Sequence, residues 1–282
     1  MEAWLEHMVY ADKFRGRDGL YIDAAAGEAE TVFARDAHAD LFRVEDGSFW
    51  FRHRNRVIRA CIDRCPPENG AIIEVGGGNG CVTAYLEKYG YKMAMFEPGL
   101  TGAVNAKKRG VGHVFRAYFN RETVRENSVP AIGLFDVLEH IEDDRAFLLE
   151  IRSLLRDGGL IYLTVPAFQA LWSQADEAGH FRRYRRKPLL ALLQSCGCAV
   201  RYASYFFWFL PLPVFLLRSL PYRLGKRGAA SPRQNRLNKK EFIMPGWTDK
   251  MIDLLLAPEL QRIENGKTMP GGGSIFITAQ KK

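Results

Sequence analysis

Two kinds of apolar spacing alternate along the chain from residue 49 to residue 165, and the regularity fades after Pro166. Short apolar runs, which predict strands, lie at Ala71–Val75, Lys92–Phe96, His113–Ala117, Ala131–Phe135, Leu160–Val165, Ala199–Tyr205 and Ser274–Gln280. Helical spacing of apolar positions lies at Phe49–Cys65, Val82–Tyr89, Leu100–Arg109, Asp143–Leu155 and Pro188–Gln194. Strands and helices that alternate at this interval predict βαβ units, and therefore a doubly wound α/β sheet with helices on both faces.

The same pattern divides the chain into four segments. Residues 1–65 are predicted to be an N-terminal helical segment and a candidate lid, and residues 66–205 to be the core that carries six strands. Residues 206–272 are predicted to be a hydrophobic and basic insertion between the sixth and seventh strands, and residues 273–282 to be the final strand. The first 45 residues mix charges with short apolar stretches, so their pattern predicts no definite element.

The composition is that of a soluble globular protein, with 47% apolar and 26% charged residues. The stretch Met1–Arg15 contains Glu2 and Glu6 and lacks the continuous apolar core of a secretory leader, so a cytoplasmic location is expected. The five cysteines include two close pairs, but neither is accompanied by the second pair or the histidines of a zinc site. We therefore expect buried, reduced thiols and no metal ion.

The formal net charge of +8 is concentrated in one part of the chain. Between Ala178 and Lys240 the sequence holds 14 lysines and arginines and no aspartate or glutamate. This basic segment favours contact with a polyanion or an anionic membrane surface, and a solvated basic face is the plainer alternative.

A glycine-rich turn, Gly76-Gly77-Gly78-Asn79-Gly80, follows the first core strand and precedes a helix. In a doubly wound sheet, ligands bind beyond the carboxyl ends of the strands, and glycines let the backbone approach them. The dinucleotide fingerprint G-x-G-x-x-G would require a third glycine at position 81, which is Cys81. The turn therefore predicts a ligand without a pyrophosphate, and Glu74 is expected near a cationic amino group of that ligand.

Two further acidic positions follow predicted strands. Glu97 ends the second core strand, 23 residues after Glu74, where a carboxylate can accept hydrogen bonds from both hydroxyls of a ribose. Asp136 opens the stretch that follows the fourth core strand and runs to His140. Because parallel strands end at the same edge of a sheet, we expect these residues to line one crevice.

Together, Glu74–Gly80, Glu97 and Phe135–Ile141 resemble the class I S-adenosylmethionine-dependent methyltransferases, and Gly158–Pro166 resembles the fifth strand of the same group. The resemblance implies a Rossmann-like sheet of seven strands with the last one antiparallel, S-adenosyl-L-methionine as the cofactor and S-adenosyl-L-homocysteine as the product. The cofactor contacts that it implies are Glu74, Gly76, Gly77, Gly78, Gly80, Glu97, Pro98, Tyr118, Asp136, Val137 and His140.

A narrower resemblance links the chain to a bacterial subgroup often found among genes for surface polysaccharide, lipid-linked sugar or natural-product assembly. The stretches that carry it are Phe49–Arg52, Leu171–Ser173, Asp176–Glu177, Gly179–Tyr184 and Pro270–Ser274. One departure concerns the adenine, since relatives carry an aspartate just after the third core strand and Arg116–Asn120 contains no acid. Tyr118, Asn120 or the backbone is expected to take that role.

Methyl transfer from a sulfonium is an in-line displacement that mainly needs a near-attack pose of the acceptor. A base is needed only where the acceptor is a hydroxyl or a protonated amine. His180 is the first candidate for that base and His140 the second, with Tyr184 as an orienter, and a purely structural role remains the alternative for each. The candidate acceptor contacts are Trp172, Arg182 and Arg183, because arginine forks suit a phosphate or diphosphate on the acceptor.

Tyr202–Leu217 is a run of 16 residues without a charge. It is shorter than the roughly 20 residues that span a bilayer, and two prolines interrupt it. The basic residues that follow it are Arg218, Arg223, Lys226 and Arg227. The open alternatives are a wall for an apolar acceptor, a membrane-surface contact through residues 206–227, a homodimer surface and a packed core.

The sequence therefore predicts a methyltransferase for a small or lipid-linked acceptor, such as a glycoconjugate or a secondary metabolite, in the cytoplasm or peripherally at the inner face of the membrane. An RNA methyltransferase is the first alternative, which the basic segment favours. Against it, the aromatic residues form one apolar block instead of alternating with basic residues. The motifs NPPY and DPPY of amino methyltransferases are also absent, because Asp136–Glu139 reads DVLE at that position. Nucleic acid is thus not the expected partner, and a non-catalytic scaffold that binds the cofactor is the second alternative.

Overall fold

The computed structural model describes residues 1–23, 35–225 and 246–282, and its strands form a single sheet. The strands are β1 (Phe14–Arg17), β2 (Leu20–Asp23), β3 (Ala71–Val75), β4 (Lys92–Phe96), β5 (Val114–Arg116), β6 (Val129–Phe135), β7 (Leu155–Pro166), β8 (Cys198–Phe206) and β9 (Ser274–Lys281). The helices are α1 (Ala3–Glu6), α2 (Arg35–Val44), α3 (Phe49–Arg64), α4 (Cys81–Glu87), α5 (Leu100–Arg109), α6 (Asp144–Leu154), α7 (Arg186–Ser195), α8 (Pro211–Val214), α9 (Leu220–Arg223) and α10 (Gly246–Glu264).

The strand order is β1-β2-β5-β4-β3-β6-β7-β9-β8, with parallel pairing from β2 to β7 and antiparallel pairing of β9 to both of its neighbours. This confirms the doubly wound α/β sheet and its antiparallel last strand. All positions of β3 and β6 are buried, as expected for central strands that helices cover on both faces.

The predicted number of strands was too low, because the described residues form nine strands and not seven. The two additional strands are the hairpin β1–β2, and its second strand pairs in parallel with β5 through Leu20 and Val114. Asp18 and Gly19, both with positive φ, form its two-residue turn, a combination typical of tight hairpins. Residues 1–65 are therefore not purely helical, and their first part extends the sheet.

The order of the strands reverses between β3 and β6, which are hydrogen-bonded neighbours although β4 and β5 lie between them in sequence. Ligand sites of doubly wound sheets lie at such a reversal, beyond the carboxyl ends of the strands. The turn after β3, Glu97 after β4 and Asp136 after β6 all fall at this edge. The topology therefore brings together the residues that the sequence motifs singled out.

Helix α10, in the predicted insertion, packs on helix α3. The imidazole of His53 lies 2.7 Å from the carboxylate of Glu259, and both side chains are buried. The same carboxylate accepts hydrogen bonds from the backbone N–H groups of Phe207 and Trp208, at 2.8 and 2.7 Å. Phe207 is fully buried in the cluster that includes Leu256 and the apolar side of α3. The described part of the insertion is thus continuous with the core and not a separate lobe.

The uncharged run Tyr202–Leu217 is divided between β8, whose end is buried, and helix α8, which is partly exposed. Exposed leucines follow on α8, on the π-helical turn Phe215–Ser219 and after α9: Leu212, Leu216, Leu217 and Leu224. None of the helices in the described ranges combines the length and the apolar character needed to cross a membrane. Lys226 and Arg227 lie outside the described residues.

Candidate functional site

The glycine turn between β3 and α4 requires glycine for its backbone conformation. Gly76, Gly78 and Gly80 have φ angles of 66°, 55° and 73°, a region that residues with a Cβ rarely adopt. The N–H of Gly76 donates to the carbonyl of Phe96, at 2.8 Å, and so ties the turn to the end of β4. A Cβ at Gly80 would lie 2.8 Å from the Val111 side chain, so this position also needs the absence of a side chain.

Glu97 joins this turn to the segment that follows β4 through its two carboxylate oxygens. Oε2 accepts a hydrogen bond from the N–H of Gly78 at 2.9 Å, and Oε1 accepts one from the N–H of Gly99 at 2.7 Å. Burial raises the pKa of Glu97, and these two amide donors oppose that effect. Each carboxylate oxygen retains a lone pair for a further donor, so the group can still accept the two hydroxyls of a ribose. Pro98 is half-buried beside it.

A polar network supports the turn from behind. The side-chain amide of Asn79 donates to the carbonyl of His38 on α2, at 3.0 Å, and its oxygen accepts from Asn105 on α5, at 3.0 Å. Arg109 pairs with Glu45 at 2.8 Å, and Glu45 accepts a second bond from Asn79. The segment from α2 to Glu45 is thereby bound to the glycine turn, which the sequence pattern did not predict.

Glu74, the penultimate residue of β3, is buried next to the glycine turn. The hydroxyl of Thr83 donates a hydrogen bond to its carboxylate. Burial raises the pKa of Glu74 to about 7, although the Thr83 hydrogen bond and the charge of Arg54 act to lower it. Glu74 therefore changes its protonation near neutral pH unless a cation is placed beside it.

Arg54 is a residue of this site that the sequence prediction missed. It lies on α3 with its guanidinium 5.0 Å from the ring centroid of Trp50, and its Nη1 donates to Asp136 Oδ2 at 2.5 Å. Its Nε is buried and has no hydrogen-bond partner within the described residues. A signal was available, because Arg54 precedes Ile58 by four positions and therefore falls on the apolar face of α3.

Asp136 and Val137 follow β6 at the same edge of the sheet as the glycine turn. Asp136 has a φ of 59° and accepts a second hydrogen bond, from the hydroxyl of Thr164, at 3.0 Å. A Cβ at Gly76 would lie 3.1 Å from a methyl group of Val137. The strained backbone at Asp136 is held by its two side-chain bonds, and it aims the carboxylate at Arg54.

His140 and His180 lie against each other, with ring centroids 4.7 Å apart and planes at 78°. Nδ1 of His140 lies 2.9 Å from the carbonyl of Gly179, and Nδ1 of His180 lies 3.0 Å from Asp176 Oδ1. Burial, together with the neighbouring His180, lowers the pKa of His140. The structure thus joins the two candidate bases in one cluster and adds Asp176, which the sequence prediction did not include.

The arginines proposed as acceptor contacts are already paired with acids. Arg182 forms an ion pair with Asp144 at 2.7 Å, and Arg183 forms one with Asp176 at 2.7 Å. Burial would raise the pKa of Asp176, but hydrogen bonds from His180 and Arg183 outweigh it and hold that pKa well below the usual range. The charge of Arg183 is therefore neutralised by Asp176, which argues against a role of Arg183 as a phosphate ligand.

The remaining candidates have separate surroundings. The Tyr184 hydroxyl lies 3.2 Å from the Leu138 carbonyl and 3.0 Å from Asp144, so this side chain braces the turn that carries His140. Tyr118 follows β5 at the ligand edge and is 57% exposed, which leaves its ring open to a ligand. Trp172 is half-buried after the turn Gln169–Leu171.

The chain matches the family model described as "Methyltransferase domain" over residues 50–203. A Mycobacterium tuberculosis (strain ATCC 25618 / H37Rv) protein, described as a probable S-adenosylmethionine-dependent methyltransferase, is 27% identical over 128 residues. That match covers 42% of this chain and 43% of the relative, so the chain spans less than half the length of the curated protein that it matches.

Solved structures share the fold. One is the complex between the Haloferax volcanii Trm112 methyltransferase activator and a methyltransferase, with a TM-score of 0.54, 14% identity and coverage of 88% of this chain and 97% of that one. Another is a SAM-dependent methyltransferase from Thermotoga maritima, with a TM-score of 0.50, 15% identity and coverage of 88% and 96%. At such low identity, these similarities concern the fold alone.

Proposed function

Because this chain belongs to the methyltransferase-domain family, we propose that it transfers the methyl group of S-adenosylmethionine to a small or lipid-linked acceptor. S-adenosylmethionine is the cofactor of this family. The observation that carries the proposal is the position of the Glu97 carboxylate, which is held by the N–H groups of Gly78 and Gly99 at the edge of the glycine turn.

The residues at this edge fit the cofactor group by group. Glu97 would accept the ribose hydroxyls, and Tyr118 or Asn120 would lie at the adenine. Arg54, with its unpartnered Nε, suits the carboxylate of the methionine part, and Glu74 suits its amino group. When bound, the cofactor supplies an electrophilic methyl group on a sulfonium. The side chains named here only hold and orient it.

His180 is the group that we assign to remove a proton from an acceptor hydroxyl. Its Nδ1 is held by Asp176, which favours the tautomer with the lone pair on Nε2. The same contact would stabilise the imidazolium that forms when Nε2 takes the proton. His140 is then the neighbour that limits the orientations of His180, because the two rings meet edge to face.

An apolar acceptor would find a cavity of about 370 Å³, one of whose lining residues, Pro211, precedes the exposed Leu212. Its lining residues include Phe168, Trp208, Pro211, Met269 and Pro270. We assign this cavity to the apolar part of a lipid-linked acceptor, and Leu212, Leu216 and Leu217 to the membrane surface from which it would be taken. Arg185 and Lys187, both exposed, are the basic residues that we assign to a phosphate on the acceptor.

The test is a transfer assay with S-adenosylmethionine labelled in its methyl group. The protein is incubated with small-molecule, lipid and RNA fractions of a bacterial extract, with His180→Asn beside the native chain and His113→Asn as the matched control. We expect label in the lipid or small-molecule fraction, retained in His113→Asn and lost in His180→Asn. Label in RNA alone would support the nucleic-acid alternative, and no label in any fraction would support a non-catalytic scaffold.

A further inference from the structure

We propose that Glu139, His140 and His180 form a binding site for a divalent transition-metal ion of the zinc class. Each of the three residues offers one ligand atom, and these atoms all lie within 4.8 Å of one another. In the tetrahedral arrangement that zinc prefers, ligands at about 2.1 Å from the ion lie roughly 3.4 Å apart, so side-chain rotations that shorten these separations would close the set. The expectation of no metal ion came from the cysteine spacing and did not consider this histidine pair.

Glu139 provides the main argument for a cation at this place. Its side chain is 1% exposed, and Oε2 is buried without a hydrogen-bond partner within the described ranges. A buried carboxyl oxygen without a donor is costly, and a bound metal ion would compensate it.

The two imidazoles are oriented as metal ligands usually are. A ligating histidine commonly donates its other ring N–H to a carboxylate or a backbone carbonyl, which fixes the tautomer and the ring plane. Here Nδ1 of His180 is held by Asp176, and Nδ1 of His140 is held by the carbonyl of Gly179. Nε2 is therefore the nitrogen that each ring would direct at the ion.

The donor set identifies the class of ion. Two imidazoles and one carboxylate suit zinc and its neighbours in the first transition row, whereas magnesium prefers oxygen ligands and retains several waters. Three protein ligands leave at least one coordination position for water or for another oxygen ligand. This is the composition of catalytic zinc sites, whereas structural zinc sites use four protein ligands.

The role of the ion rests on the proposed function. An acceptor hydroxyl bound at the open position would lose its proton more readily, because the cation stabilises the alkoxide. The O–CH₃ bond then forms while the S–CH₃ bond of the sulfonium breaks, and the hydroxyl proton passes to solvent. In the metal-bound protein Nε2 of His180 is a ligand and cannot take the proton, so the base role assigned to His180 above applies to the metal-free protein alone.

The experiment is a titration of the chelator-stripped full-length chain with Zn²⁺ by calorimetry and with Co²⁺ by visible absorption. We expect one ion per chain, and a Co²⁺ spectrum without the charge-transfer bands of a thiolate ligand. Glu139→Gln and His180→Asn should each lower the affinity at least tenfold, and Asp176→Asn should lower it about 10- to 100-fold. His113→Asn is the matched control, because His113 also pairs with a carboxylate, that of Glu2, at 3.0 Å.

The proposal is overturned if the native chain binds no ion, if Glu139→Gln and His180→Asn bind as tightly as the native chain, or if the Co²⁺ spectrum shows thiolate ligation. Glu139→Gln replaces the carboxyl group by an amide of the same size, and circular dichroism confirms that each variant is folded. Titration of the same stripped protein with S-adenosylmethionine tests the proposed function separately, because none of the three ligands is needed for the contacts of Glu97.

Discussion

Nη1 of Arg54 lies 2.5 Å from Oδ2 of Asp136, and this contact joins helix α3 to the carboxyl end of β6. The N-terminal region therefore supplies a cation to the cofactor edge of the sheet. Arg54→Gln should weaken the binding of S-adenosylmethionine about tenfold or more, since the charged partner that we propose for the carboxylate of the methionine part would be lost. Isothermal calorimetry measures the effect.

The control for this variant is Arg56→Gln. Arg56 lies on the same helix, its side chain is 42% exposed, and its nearest acid is Asp253 on α10 at 3.6 Å. It should bind the cofactor as the native chain does. An equal loss of affinity in both variants would mean that α3 acts through its fold and that Arg54 does not contact the cofactor.

The contribution of Glu74 to the free energy of unfolding should decrease as the pH rises from about 4.5 to about 7. In the unfolded chain Glu74 loses its proton near its ordinary pKa of 4.5, whereas burial holds the folded pKa at about 7. Between these values the unfolded state releases the proton first, so the free energy of unfolding decreases, by up to about 3 kcal/mol for this group. Above pH 7 the effect levels off.

Urea unfolding at pH 5, 6 and 7.5 tests this dependence. Glu74→Gln should flatten the decrease, and Glu122→Gln, at an exposed position, should leave it unchanged. Gln keeps the oxygen that accepts from Thr83, so the variant is expected to fold. A native chain and a Glu74→Gln variant with the same slope would show that Glu74 is ionised throughout this range.

Gly80→Ala should destabilise the fold more than Gly90→Ala, although both glycines have positive φ. A Cβ at Gly80 would lie 2.8 Å from Val111, whereas one at Gly90 would meet nothing within 4 Å. Backbone strain alone costs about 1–2 kcal/mol. Overpacking adds about 1–3 kcal/mol at Gly80. Chemical denaturation measures the free energy of unfolding of both variants. Equal decreases in the two variants would mean that the side chains around Gly80 accommodate the added methyl group without a loss of stability.

The double variant Leu216→Ser/Leu217→Ser should lower binding to vesicles that contain phosphatidylglycerol at least tenfold. Leu217 is 76% exposed, and burial of a leucine side chain contributes about 1.5–3 kcal/mol. Co-sedimentation is the measurement, and Leu254→Ser, at a 73% exposed position on α10, is the matched control. Equal loss in the control, or no binding by the native chain, would contradict the membrane contact.

The core of the sheet was predictable because its strands are buried on both faces. Such strands appear as continuous apolar runs, and β3 and β4 begin and end where the pattern placed them. The sequence pattern predicted a turn before the strand around Leu160, but β7 begins earlier, at Leu155. Its first part is irregular, with a shift of register against β6 and a φ of 72° at Gly158, so this part resembles a turn in sequence. The hairpin β1–β2 was missed because its strands are only four residues long and mixed in polarity, although Asp18-Gly19 signalled its turn.

The candidate site was predictable only where its residues follow strands directly. Glu97 and Asp136 have that position, so the topology alone brings them to one edge. Arg54 and Asp176 reach the site from other parts of the chain, and no local pattern states which strand end they meet. The pairing of Arg183 with Asp176 was not predictable for the same reason, because a run of arginines does not show which of them is paired with an acid in the fold.

The central claim is tested most directly by calorimetric titration of the purified chain with S-adenosylmethionine, S-adenosylhomocysteine and NAD, with Glu97→Ala and Glu97→Gln in parallel. We predict that both sulfur compounds bind and NAD does not. Glu97→Ala should abolish the binding, and Glu97→Gln, which keeps one acceptor oxygen, should weaken it. Binding of NAD in preference to both sulfur compounds, or unchanged binding in Glu97→Ala, would contradict the account.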